Sequence, residues 1–174
     1  MADDKPPIPA FPGGPDPSKP VPDTPVEGLD LETYAYVSAR LAEKKEPQDA
    51  ILAEHGLTNR QWMRVEQTWL LRVAVAGLQG DTAYLKRYDD ACVAGQERVA
   101  KDQPIWPMEQ FAVVVAQIEA GYPPPLVLAQ AGLTMAGFAK MQRVWAQELA
   151  KDPDASRAFR GHVDGWKARY PKPS

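Results

Sequence analysis

The chain has 174 residues, 44% of them hydrophobic and 25% charged, a balance that lets a globular protein bury a real core. Its net charge of −3 lies within residues 1–27, where Asp3, Asp4, Asp16, Asp23 and Glu27 outnumber Lys5 and Lys19; the 18 basic and 18 acidic side chains that remain of 20 and 23 cancel. A neutral body argues against nonspecific nucleic-acid or anionic-membrane binding, which needs concentrated Lys and Arg, and the longest apolar stretches, such as Phe111 to Ala116, are too short for a bilayer.

Residues 1–27 hold nine of the 18 prolines. Few backbone donors and few apolar side chains remain there, so a disordered or polyproline II tail is expected. Its PxxP spacings, such as Pro6/Pro9 and Pro17/Pro20, arise automatically from a proline at every third position, and the tail reads as a spacer before it reads as a docking ligand. Asp3 and Asp4 stand where a secretory signal would be apolar.

From Leu31 the pattern becomes helical, and it recurs. Leu31-Glu-Thr-Tyr34-Ala35 matches Met108-Glu-Gln-Phe111-Ala112, with Val37 and Leu41 matching Val114 and Ile118. After a one-residue adjustment, Ile51-Leu52-Ala53 matches Val127-Leu128-Ala129, and Gly56-Leu57-Thr58 matches Gly132-Leu133-Thr134. An all-α chain is expected: a tandem duplication of a three-to-four-helix unit, with repeat 1 over 28–103 and repeat 2 over 104–174. The predicted helices span about 31–44, 47–55, 59–77 and 81–99, then 107–120, 124–131, 135–150 and 153–168.

Local punctuation supports these boundaries. Pro47 and the Pro123-Pro124-Pro125 run stand at helix starts, where a missing N–H does no harm. Gly56 and Gly132 suit a left-handed C-terminal residue, and Thr58 with Gln61 forms a capping box. Thr134 is retained but Gly137 replaces the glutamine, so a weaker cap is expected there. Asp152-Pro153 reads as a cap followed by a first-turn proline, and Glu32 and Glu109 as acids favoured at helix starts. Trp62, Val65, Trp69, Val73 and Phe138, Met141, Trp145, Leu149 fall at i, i+3, i+7 and i+11, the expected core stripes.

Chemistry-bearing residues are few. Cys92 is the only cysteine, which rules out an internal disulfide and a CxxC pair and fits a reducing, cytoplasmic setting. Neighbouring Asp89 and Asp90 disfavour a thiolate at Cys92. His55 and His162 lack a ligand partner at i+4, and His55 gives way to Ala131 in the second copy. No Gly-rich phosphate loop or GxSxG elbow occurs. No cofactor, metal or catalytic set is expected, and the chain reads as a noncatalytic protein-binding module. A small enzyme using His162 or Cys92 is one alternative.

Another alternative is a helix-turn-helix DNA reader, since the helix, Gly-Leu-Thr turn and helix at 50–69 expose Arg60 and Arg64. Aromatics outside the stripes are the candidate partner contacts: Trp106, Tyr122, Trp166 and Tyr170. Trp106 is also a candidate for a seam between the two copies.

The aromatic-Ala opening, the Gly-Leu-Thr turn, the aromatics seven residues apart and the late Asp-Pro resemble small helical repeat modules of bacterial proteins, some linked to type VI secretion. That resemblance covers 31–170. It implies a binding or adaptor role for a protein partner, and carries over no catalytic residue.

Overall fold

The computed structural model describes residues 14–170. Eight helices account for their regular structure: α1 (Leu31–Glu43), α2 (Gln48–Glu54), α3 (Asn59–Gln79), α4 (Thr82–Val99), α5 (Met108–Glu119), α6 (Pro124–Ala131), α7 (Met135–Lys151) and α8 (Pro153–Lys167). No strand forms among the described residues, and no helix there is long and apolar enough to cross a membrane. The chain divides into two compact units, one ending at Gly95 and the other starting at Gln96. The division falls inside α4, upstream of the boundary expected at 103/104.

In the first unit, Asp30 caps α1 by accepting the Thr33 N–H at 2.8 Å. The Thr58 capping box forms as expected, with Gln61 Oε1 accepting the Thr58 N–H at 2.9 Å and Thr58 Oγ1 accepting the Gln61 N–H at 3.3 Å. Gly56 follows α2 with φ +68°, the left-handed conformation that glycine adopts without a Cβ penalty. The core is aromatic: Tyr34 of α1 stacks on Trp62 and Trp69 of α3 with ring centroids 5.6 and 5.9 Å apart. Pairs of this kind add about 0.5–1.5 kcal/mol beyond the area they bury. α4 approaches α1 so closely at Gly95 that an added Cβ would lie 2.8 Å from the Ala35 carbonyl.

The buried side of α3 departs from the expected stripe. Trp62, Val65 and Trp69 are buried, but the next position in the series is Arg72, 5% exposed, and Val73 is only half-buried. Arg72 turns inward because the N-terminal segment supplies its acceptors. Its guanidinium donates to the Thr24 carbonyl at 2.7 Å and to Thr24 Oγ1 at 3.3 Å, and lies 4.5 Å from the Trp69 ring centroid.

Residues 16–27 are therefore a strap across the first unit, which corrects the expectation of disorder through residue 27. Gln79 Nε2 donates to the carbonyls of Pro17 and Lys19, both at 2.8 Å; Arg87 pairs with Asp23; and Arg64 and Gln61 donate to Glu27 at 2.8 and 3.2 Å. Val21 is buried, and a tight turn at Glu27-Gly28 pairs Val26 with Leu29. Side chains of α3 satisfy backbone carbonyls that a proline-rich segment cannot pair internally, and Arg87 of α4 adds an ion pair to the Asp23 side chain. The expectation of disorder over 1–13 lies outside the described residues.

In the second unit, Ala112 and Ala116 of α5 pack with Val163 of α8, and Phe111 stacks on Phe159 at 5.9 Å. Asp152 caps α8 through the N–H groups of Asp154 and Ala155, at 2.9 and 3.1 Å. The expected stripe on α7 is buried in full only at Met141, while Phe138, Trp145 and Leu149 are half-buried. Two polar side chains of the same helix reach residues 96–103. Lys140 Nζ donates to the carbonyls of Ala100 and Gln103 at 3.3 and 3.2 Å, and Arg143 donates to Gln96 and Glu97 at 2.7 and 2.6 Å.

The cap at Thr134 is also completed from outside its own helix. Thr134 Oγ1 accepts the Gly137 N–H at 2.8 Å, and the acceptor absent from position 137 is Gln103 Oε1, which takes the Thr134 N–H at 3.3 Å. A Cβ at 137 would overlap the Gln103 carboxamide, so the glycine expected to weaken this cap makes room for it.

Candidate functional site: a groove between α5 and α6

Each unit has a furrow where its first helix meets its short second helix, and the two are filled differently. In the first unit, Arg40 of α1 fills it. Its guanidinium donates to Glu54 Oε2 at 2.6 Å and to Glu46 Oε2 at 2.8 Å, and lies 5.9 Å from the Tyr36 ring centroid. The Arg40 side chain is only 14% exposed. Hydrogen bonding to Arg40 holds the Glu54 carboxyl below its ordinary value, and the two carboxylates push the guanidinium above its own. His55 follows α2, its Nε2 buried with no hydrogen-bond partner among the described residues.

In the second unit the matching sequence positions carry Gln117 for Arg40, Gln130 for Glu54, Val113 for Tyr36 and Ala131 for His55. The arginine and its carboxylate partner are both absent. What remains is an open groove of about 330 Å³, lined by Trp106, Gln110, Val113, Val114, Gln117, Val127, Gln130 and Ala131. Val114 and Val127 form a buried floor, while Gln110 and Gln130 are exposed at the rim. Among the described residues, no ionisable side chain lines it. The surface is apolar with three carboxamides, each able to donate and accept a hydrogen bond. It offers no acid, base or nucleophile.

Trp106 forms one wall. Its carbonyl accepts the Trp145 indole N–H at 3.1 Å, and its ring packs against the cluster around Phe111 and Val114. Pro107 comes next and restricts the backbone of the residue before it. The indole is thus held by its own unit.

Of the other aromatics singled out from the sequence, Tyr122 and Tyr170 meet edge-to-face with centroids 6.0 Å apart. Trp166 packs on the cluster of Ala112, Ala116 and Val163, with the Arg169 guanidinium 4.6 Å from its ring. Neither this pair nor Trp166 lines the groove. Arg60 is exposed at the start of α3, and Arg64 is tied to Glu27. Cys92 is half-buried, and burial pushes its thiol up. His162 is half-buried on α8. Among the described residues, no three His, Cys, Asp or Glu side chains gather as a metal site would require.

Sequence reasoning found Trp106 but missed Gln110, Gln117 and Gln130. A signal was present in the two aligned stretches of sequence, where a charged pair in one faces two glutamines in the other. No protein family, curated protein or solved structure matched the chain, so the resemblance to small helical repeat modules stands on its sequence motifs alone.

Proposed function

We propose that the chain is a noncatalytic protein-binding module whose second unit takes an apolar segment of a partner into the α5–α6 groove. The observation that carries this reading is the contrast between the furrows: Arg40 and its two carboxylates close the first, and uncharged side chains leave the second open. A half-buried indole beside a valine floor is the kind of anchor pocket in which a few residues supply most binding energy. The three glutamines suit the main chain of an extended segment or the exposed carbonyls of a helix end.

The same contrast suits divergence after duplication, in which one copy kept a closed furrow for stability and the other opened it for binding. Matched helix starts at Leu31 and Met108, threonine caps at 58 and 134, and left-handed glycines at 56 and 132 support that history.

The test transplants the plug. Gln117→Arg with Gln130→Glu rebuilds the Arg40–Glu54 pair in the second unit without touching its core. Displayed random peptides selected on the full chain should carry apolar anchors and bind this variant at least tenfold more weakly, with melting unchanged. A library that yields no binder, or binders indifferent to the plug, would sink the proposal.

A further inference from the structure

The exposed face of α3 carries a second row of uncharged residues, unrelated to the groove, with Met63 and Leu70 as its large apolar members. Met63, Gln67, Leu70, Ala74 and Gly77 recur at alternating spacings of four and three residues, and all are exposed, Met63 at 67% and Leu70 at 53%. The buried residues of the same helix, Trp62, Val65, Trp69, Arg72 and Ala76, keep the same rhythm half a turn away. The inner row, Arg72 among it, packs into the core of its own unit, while the outer row stays exposed among the described residues. The outer row has the 3.5-residue period of a coiled-coil seam and contains no charged residue.

The geometry points to a second copy of this chain as the occupant, docked antiparallel through α3. Large residues occupy the first half of the row and small ones the second. Reversing one copy about a point beside Leu70 sets Met63 into the space bounded by Ala74, Gly77 and Leu78, and sets Leu70 against Leu70 and Leu71 of the other copy. A parallel pair would instead oppose Met63 to Met63 and leave a void at Gly77. Charge follows the same register: Arg60, exposed at the start of α3, comes level with Asp81 at the far end of the other copy. Glu66 stands about 13 Å along the axis from its counterpart, too far for strong repulsion in water.

The row runs about 22 Å from Met63 to Leu78. A seam of one helix per chain sits at the small end of stable interfaces, so association is expected in the micromolar range. It requires no contribution from the α5–α6 groove.

Sedimentation of the full chain between 1 and about 200 μM decides it. The expected result is reversible dimerisation that Leu70→Glu weakens at least tenfold, with Met63→Lys as a second variant; both positions are exposed, so the fold should survive. In a Cys92→Ala background, oxidative cross-linking should join Met63→Cys chains to Gly77→Cys chains when the two are mixed. Sedimentation as a monomer throughout, or a dimer unaffected by both charge substitutions, would overturn the proposal. A dimer that cross-links through Met63→Cys alone would overturn its antiparallel form.

Discussion

Two glycines carry opposite consequences for substitution. At Gly95 an added methyl would press on the backbone of Ala35, which has no flexible end to yield. Gly95→Ala is expected to destabilise the first unit by about 1–3 kcal/mol, the usual cost of overpacking, read as a lower denaturant midpoint. At Gly137 the neighbour is the side chain of Gln103, which can move aside but only by leaving Thr134. Gln103→Ala should therefore lower stability by about 0.5–1.5 kcal/mol, one hydrogen bond's net worth, and raise amide exchange in the first turn of α7. Gly137→Gln tests the same logic from the other side: it restores a local capping box and should partly compensate for the loss of Gln103.

The Arg40 cluster is the clearest titrating feature. Glu54 has its carboxyl held low by Arg40, so the pair contributes stability above the ordinary carboxylate range and loses it as pH falls through the lowered value. Melting of the full chain followed from pH 6 to pH 2 should show a component that Arg40→Gln removes. Since Glu54 is exposed, that component is small and shrinks with added salt.

Among the elements, helix existence and ends were read well from the sequence because their signals are local. Threonine at 58 and 134, Asp152 before Pro153, and glycines at 56 and 132 act within one turn of their own position. The strap was unreadable for the converse reason. Nothing within residues 16–27 announces that Thr24 meets Arg72, 48 positions later, and proline density by itself argues for disorder. Arg72 fits an α3 stripe by spacing but not by type, and only a buried acceptor explains it. The glutamine rim was half legible: aligning the two similar stretches of sequence sets Gln117 opposite Arg40, but does not show that both face the short helix.

The strap makes its own prediction. Arg72→Gln removes a buried charge-assisted pair of bonds to Thr24, expected to cost about 1.5–3 kcal/mol, and should speed cleavage after Glu27 by a glutamate-specific protease more than cleavage within α5 to α8. Equal acceleration everywhere would mean that the strap is not locally fastened by this residue.

Over the whole molecule, each unit has its own hydrophobic clusters: Tyr34, Trp62 and Trp69 in the first, Phe111, Phe159 and Met141 in the second. Their polar surfaces differ more than their cores do. The first unit has an ion-pair cluster in its furrow and leaves Met63 and Leu70 exposed on the outer face of α3. In the second, Lys140 and Arg143 tie α7 to residues 96–103, and the furrow stays open.

The strap also has a bearing on synthesis. Val21 and Thr24 leave the ribosome long before Arg72, Gln79 and Arg87 exist to receive them. At about 5–20 residues per second the wait is on the order of 3–13 s. For that interval the strap has nowhere to bind, and Trp62 and Trp69 emerge before α4 can pack over α1. Emergence of α4 is thus the moment when the first unit can close.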